Sequence, residues 1–166
     1  MSTLEWSDAL ALDLPEMDDT HREFVELLAD VEDAADARID VAWSALILHT
    51  DDHFGREDRW MRDTRYASSN CHTTQHFVVL KVMREIEAMD RADKPAVIRQ
   101  VARELAQWFP QHAQGMDASL ALHLRGVGYD AATGTVALPE ALPAEAITGC
   151  GSAACSPRAA TADAEA

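Results

Sequence analysis

The sequence predicts an all-α protein with the architecture of an up-down-up-down four-helix bundle. Of its 166 residues, 48% are apolar, and many of these are Ala and Leu, a composition that favours helices over strands. Apolar residues recur at the three- and four-residue spacing of a helix in four separate stretches. The breaks between these stretches are short, and short links make neighbouring helices run antiparallel.

Each of the four predicted helices has one apolar face and a recognisable start or end. In chain order, the predicted spans are 18–37, 40–62, 69–90 and 94–124. Asp18 or Asp19 is expected to cap the first helix and Ser69 the third, because a short side-chain oxygen accepts the free N–H groups of a first turn. Pro95 is suited to the first turn of the fourth helix, and Gly126 to the position after its end.

Two flanking segments lie outside the predicted bundle, which spans residues 18–129. Residues 1–17 contain Trp6 and several leucines, so we expect them to pack across the bundle as an N-terminal arm. Residues 130–166 are rich in Ala, Gly, Pro, Thr and Ser. Such a segment buries too little apolar surface to offset its loss of conformational entropy, and we predict a disordered C-terminal tail.

Charge and hydropathy narrow the possible partners. The formal net charge of −15 disfavours binding to nucleic acid or to anionic lipid. The sequence has no apolar run long enough to span a bilayer and no secretory signal at its N-terminus, so we expect a cytoplasmic protein without membrane insertion. The cysteines, Cys71, Cys150 and Cys155, are too few for a disulfide framework. No feature of the sequence identifies a protein partner.

Histidines and carboxylates recur at metal-ligand spacings along the predicted helices. His53 and Glu57 are four residues apart, as are His72 and His76, so each pair lies on one helix face and can reach one ion. His21 faces inward on the first helix. A single pair of this kind is weak evidence for a metal, but a core that receives such residues from all four helices would be unfavourable without one.

The fourth helix contributes His112 and Asp117, whose spacing does not suit an ideal helix. Five residues of α-helix rotate by about 500°, so the two side chains would diverge by about 140°. They converge only if the helix is irregular, and a π-bulge, which adds one residue to a turn, is common at functional sites. Pro110 and Gly115 weaken regular helix here. We therefore predict an irregularity between Trp108 and Asp117.

The order of these residues resembles that of the hemerythrins, in particular the bacterial single-domain ones. The matching motifs are Asp18-Asp19-Thr20-His21, His53-Phe54-Gly55-Arg56-Glu57, His72-Thr73-Thr74-Gln75-His76 and His112-Ala113-Gln114-Gly115-Met116-Asp117. The likeness covers residues 4–125 and includes every ligand position, and Trp6 and Trp108 also fit. Phe109 and Ala113 stand where the family usually has Leu and Ile, a difference that bears on oxygen affinity and autoxidation rather than on metal binding.

The resemblance implies a centre of two iron ions that are bridged by carboxylates and by an oxo or hydroxo group. The implied ligands are His72, His76 and His112 for one iron, His21 and His53 for the other, and Glu57 and Asp117 as bridges. The first iron is then six-coordinate and the second five-coordinate, so oxygen is expected to bind end-on at the second. The expected oxygen pocket consists of Phe24, Phe54, Trp108 and Phe109. The net charge of the centre is the same before and after binding, so no external acid or base is required.

We therefore expect a non-haem protein that reversibly binds molecular oxygen for storage, delivery or buffering, and not an enzyme. Three alternatives remain open: an oxygen or redox sensor, a di-iron redox enzyme that acts on peroxide, nitric oxide or oxygen or in iron repair, and a structural metal bundle. The apolar pocket residues favour binding over catalysis. The donor set suits iron, although manganese and zinc also accept such ligands. His49 could be a further donor to the site or a hydrogen-bonded core histidine.

Overall fold

Four antiparallel helices joined by short turns form the bundle in the computed structural model, which describes residues 3–66 and 71–147. The helices are α1 (Pro15–Asp33), α2 (Asp36–Asp63), α3 (Cys71–Glu87) and α4 (Lys94–His112), and α4 continues through a π-helical segment (Ala113–Asp117) into α5 (Ala118–Gly126). The predicted all-α four-helix bundle is confirmed. The links are residues 34–35, 64–70 and 88–93.

The first helix starts earlier than its predicted cap. It begins at Pro15 and has no side-chain hydrogen bond at its N-terminus, because proline needs no N–H partner at a first helical position and has a fixed helical φ. The prediction of Asp18 or Asp19 as the cap is therefore wrong. The Asp18 carboxylate instead accepts a hydrogen bond from the Leu12 amide at 2.7 Å, which fastens the N-terminal arm. Ser69, the predicted cap of α3, lies outside the described residues.

The buried apolar side chains form two clusters, one on each side of a polar layer. The larger cluster includes Phe24, Trp43, Met83, Ile98 and Phe109. The smaller cluster includes Met17, Trp60, Met61, Leu120 and Leu124. Helices α1 and α2 contribute to both clusters, whereas the fourth helix reaches the larger cluster through α4 and the smaller one through α5. The apolar face of each is therefore interrupted between the clusters.

The π-helical segment confirms the predicted irregularity in the fourth helix. The Ala118 amide donates to the Ala113 carbonyl, five residues back, which is the hydrogen-bond pattern of a π-helix. Pro110 lies inside α4, one turn before this segment. The wider turn absorbs one extra residue, so Phe109 before it and Leu120 after it both remain in the core.

The N-terminal arm contacts both clusters. Leu10, in a 3-10 turn (Asp8–Leu10), is buried in the larger cluster, and Leu14 is buried in the smaller one. Trp6 packs at the margin of the larger cluster, with the Arg22 guanidinium 4.8 Å from its ring centroid. The arm thus runs across the polar layer from one cluster to the other.

The segment after α5 has defined structure as far as residue 147, which corrects the prediction of a disordered tail from residue 130. Strands β1 (Tyr129–Asp130) and β2 (Thr135–Val136) form an antiparallel hairpin, followed by a 3-10 turn (Pro139–Ala141). Tyr129, Val136, Leu142 and Ile147 pack on the smaller cluster. These few apolar side chains are diluted in the average composition of residues 130–166, on which the prediction was based. Residues 148–166 lie outside the described part of the chain.

Two further sequence predictions concern the membrane and the cysteines. Within residues 3–66 and 71–147, the length and hydropathy of every helix fall short of what a membrane span requires. Cys71, at the start of α3, is disulfide-bonded, which the low number of cysteines did not predict. Cys150 and Cys155 belong to the residues that are not described.

Trp43→Phe is expected to lower the free energy of unfolding by about 1–3 kcal/mol. Trp43 is 0% exposed, and its Nε1 donates to the Met83 carbonyl at 3.2 Å, which joins α2 to α3. The control is Val41→Ala, since Val41 is 69% exposed on the same helix and its truncation should change stability by less than about 0.5 kcal/mol. Urea unfolding measures both, and equal effects would contradict the assignment of Trp43 to the core.

Candidate metal centre

Seven polar side chains form the buried layer between the two apolar clusters. None of them is more than 2% exposed. They are His21, His53, Glu57, His72, His76, His112 and Asp117. The structure thus brings together all of the residues that the sequence motifs singled out as metal ligands.

Local helix geometry positions each member of this layer. On α2, the four-residue spacing places His53 Nε2 3.1 Å from Glu57 Oε1. On the fourth helix, the π-helical segment turns Asp117 back towards His112, and Asp117 Oδ1 lies 3.2 Å from His112 Nε2. An unbroken α-helix would have directed Asp117 away from this point.

The layer divides into two potential ligand groups. One consists of Glu57, His72, His76, His112 and Asp117, and the other of His21, His53 and Glu57; within each group the donor atoms lie within 4.8 Å of one another. The two groups therefore have a carboxylate in common.

Each of the two carboxylates faces both groups. Glu57 Oε1 lies beside His53, while Oε2 lies 3.3 Å from Nε2 of both His72 and His76. Asp117 Oδ2 lies 3.2 Å from His21 Nε2, while Oδ1 lies 2.9 Å from His72 Nε2. Carboxylates with one oxygen towards each of two groups have the arrangement of bridging ligands.

Several atoms of the layer are close together and still lack a hydrogen-bond partner among the described residues. These atoms include His21 Nε2, His72 Nε2, Glu57 Oε2 and both Oδ atoms of Asp117. Buried polar atoms without partners are strongly unfavourable. Because these donors point towards common centres and not along hydrogen bonds to one another, the residues fit bound cations.

Electrostatics also favour positive charge in this layer. Burial and the Asp117 charge would raise the pKa of Glu57, but the charge of His53, its hydrogen bond to Glu57 and the close contact of His72 hold that pKa well below its usual value. Burial likewise opposes the charge of Asp117, yet the charge of His112 and the close contacts of His112, His21 and His72 keep the pKa of Asp117 well below normal. Two carboxylates that stay ionised at full burial need compensating cations.

In the metal-free layer, three of the histidines have a raised pKa and so hold a proton more tightly than a free imidazole does. Burial lowers the pKa of His72, but its contacts with Asp117 and Glu57 outweigh burial and raise the pKa to about 10. The pKa values of His21 and His76 are also raised, because their carboxylate neighbours outweigh burial. The pKa of His112 is lowered, since burial dominates there.

Two polar residues that sequence analysis did not identify contact the Nδ1 atoms of histidines, on the side of the ring away from the ligand groups. Asp58 lies 3.0 Å from His76 Nδ1, and Gln75 Oε1 lies 3.1 Å from His112 Nδ1. Each directly precedes or follows a member of the layer in the chain. A metal-bound histidine usually donates its other N–H to an acceptor. Polar residues next to the predicted ligands in the sequence could therefore have been considered as such acceptors.

The four predicted pocket residues contact different histidines of the layer. Phe109 presents its ring to the edge of His21 at 5.1 Å and stacks on Phe24 at 4.6 Å. Phe54 stacks on His76 at 3.9 Å, and Trp108 stacks on His112 at 4.4 Å. Phe24 and Phe109 therefore lie towards His21, whereas Phe54 and Trp108 mainly contact the other group of histidines.

The two remaining histidines of the chain bond to backbone carbonyls. His49 Nε2 lies 3.1 Å from the Thr20 carbonyl, and His123 Nε2 lies 3.0 Å from the Thr64 carbonyl. Of the two readings proposed for His49, this contact favours the hydrogen-bonded core histidine.

Comparison with known proteins identifies the family of the chain. Residues 12–122 match the family described as hemerythrin HHE cation binding domain. The chain is 35% identical over 131 residues to the bacteriohemerythrin of Ralstonia nicotianae, a similarity that covers 79% of this chain and 96% of that protein. No solved structure matches the chain. The whole polar layer lies inside the matched range.

The metal-free protein is expected to lose stability as pH rises. A histidine whose pKa is higher in the folded than in the unfolded state stabilises the fold fully below its unfolded value. For His72 this contribution is lost as pH rises from 6.5 through about 10. Urea midpoints of chelator-treated protein at mildly acidic, neutral and alkaline pH measure the effect, and His72→Gln should reduce the slope. A midpoint that does not fall, or that falls equally in both proteins, would contradict this assignment.

Proposed function

The chain belongs to the hemerythrin family, and on that premise we propose that its polar layer binds two iron ions and, through them, reversibly binds molecular oxygen. The observation that carries the proposal is the division of the layer into two ligand groups that share the Glu57 carboxylate. One ion alone would leave the donors of the other group buried without a partner.

Each group supplies a distinct set of nitrogen ligands to its iron. One iron would be held by the Nε2 atoms of His72, His76 and His112, the other by those of His21 and His53, and Glu57 and Asp117 would be shared by the two. A ferrous pair held in this way would supply electrons and an open coordination position to molecular oxygen. Because the second group has one imidazole fewer, the open position would belong to the iron of His21 and His53.

Aromatic side chains exclude water from that position. Phe109 lies against His21, and Phe24 stacks on Phe109 and is 1% exposed. An apolar wall admits a small neutral molecule such as oxygen and disfavours the release of charged products. We assign Phe24 and Phe109 to the oxygen pocket, and we assign Phe54 and Trp108 to supporting the histidines on which they stack.

The protonation state of His49 favours binding over reduction of oxygen. Reduction needs a proton donor near the open position, and the His49 ring lies 6.2 Å from the His53 ring. Burial, followed by the charge of His53, lowers the pKa of His49, so this imidazole is neutral at physiological pH and a poor source of protons. The proposed role is therefore oxygen storage, delivery or buffering, with a di-iron redox enzyme or a sensor as the alternative.

Exposure of the anaerobic ferrous protein to air is expected to produce a visible charge-transfer band that disappears again under vacuum. The proposed open position on the His21 and His53 iron is the physical reason, because oxygen can bind and leave there without loss of a ligand. Repeated absorption spectra through several cycles measure reversibility. Irreversible oxidation in the first cycle, or continuous consumption of added peroxide, would instead indicate a redox enzyme.

His53→Gln is expected to lower the iron content from about two ions to about one per chain, because it removes a ligand from the group that has only two imidazoles. His49→Gln is the matched control one turn earlier on α2, since His49 bonds to the Thr20 carbonyl and should leave the iron content unchanged. Metal analysis after anaerobic loading measures both variants. Equal loss of iron in the two would argue against the proposed ligand set.

A further inference from the structure

His112 has a polar contact on the side away from the ligand centre that links it to a tryptophan. Gln75 Oε1 lies 3.1 Å from His112 Nδ1 and 3.2 Å from Trp108 Nε1. One amide oxygen on α3 thus faces two nitrogens of α4. Trp108 and His112 are themselves stacked, with ring centroids 4.4 Å apart.

The chemistry of these three groups favours a proton on Nδ1 of His112. An indole N–H can only donate a hydrogen bond, so the Gln75 atom that faces Trp108 has to be the oxygen and not the nitrogen. The same oxygen faces His112 Nδ1 and accepts its proton. The lone pair of His112 is then on Nε2, which faces the ligand group: His76 Nε2 lies at 3.3 Å and the acceptor Asp117 Oδ1 at 3.2 Å, so a cation in the layer favours this tautomer over the one with the proton on Nε2.

We propose that Trp108 and Gln75 are positioning residues that hold His112 in the tautomer required for metal binding. Trp108 orients the amide of Gln75, and the amide oxygen in turn accepts the Nδ1 proton of His112. This inference rests on the proposed function, in which Nε2 is the metal ligand. Without the indole N–H, the amide is free to turn over and present its NH2 group to Nδ1, which favours the tautomer with the proton on Nε2.

The Nδ1 atoms of other histidines in the layer have different surroundings. The Asp58 carboxylate can only accept a hydrogen bond from His76 Nδ1, so it needs no third group to orient it. His21 Nδ1 and His53 Nδ1 have no hydrogen-bond partner in residues 3–66 and 71–147. An amide can present either end, which is why Gln75 in particular depends on Trp108.

The experiment compares Trp108→Phe, Gln75→Leu and Gln75→Glu in the full chain. Trp108→Phe keeps an aromatic ring over His112 and removes the N–H. Gln75→Leu removes the acceptor, whereas Gln75→Glu keeps one that needs no orientation. Gln100→Leu is the surface control, since Gln100 is exposed on α4 and bonds to Glu104. The readouts are the imidazole 15N shifts of His112 in the metal-free protein and the rate of Zn²⁺ loss to a chelator.

We expect Trp108→Phe and Gln75→Leu to release Zn²⁺ about ten times faster than the wild type, or more. Gln75→Glu and Gln100→Leu should release it no faster than the wild type. In the 15N spectrum, His112 should carry its proton on Nδ1 in the wild type and shift towards Nε2 in Trp108→Phe.

Three results would overturn the proposal. The first is a wild-type His112 that is protonated on Nε2. The second is an unchanged rate of Zn²⁺ release in both Trp108→Phe and Gln75→Leu. The third is equally fast release from Gln75→Glu and Gln75→Leu, which would indicate that residue 75 acts only through packing. A wild type that binds no metal but has the expected tautomer would refute the proposed function while supporting the orientation of His112 by Gln75.

Discussion

The fold is organised around a buried layer of carboxylates and imidazoles that lacks adequate partners among residues 3–66 and 71–147. Glu57 and Asp117 are 0% exposed, and their pKa values stay well below normal because the surrounding histidines outweigh the effect of burial. Burial of charge at this depth is unfavourable unless counter-charge is present. Several nitrogen and oxygen atoms of the layer have no hydrogen-bond partner in the described part of the chain, so those residues alone do not complete its hydrogen bonding.

Much of the secondary structure serves to bring these donors together. His53 and Glu57 need only the regular spacing of α2, as His72 and His76 need that of α3. Asp117 needs a departure from regular helix, and the Ala118 to Ala113 hydrogen bond marks the turn that provides it. The irregularity is confined to this place, since the helices before and after it have normal α geometry, and it turns Asp117 towards the other donors.

The parts of the structure that follow a fixed period were predictable from the sequence, and the parts that depend on tertiary contact were not. The four-residue pairs indicated helix faces, and the five-residue spacing from His112 to Asp117 indicated the bulge because an ideal helix cannot satisfy it. The start of α1 at Pro15 and the hairpin from Tyr129 to Val136 depend on packing against the smaller cluster, which composition does not reveal. The contacts of Asp58 and Gln75 were missed because each lies on a different helix from the histidine it meets.

The separation of the apolar core into two clusters has a consequence for cooperativity. Each cluster contains large, fully buried side chains, such as Trp43 in one and Met61 in the other, so each half can support its own local stability. Regions that are joined mainly by a polar layer can open separately from one another. A ligand that binds only the folded layer stabilises it by mass action. Such a ligand therefore couples the two clusters, so that they unfold together.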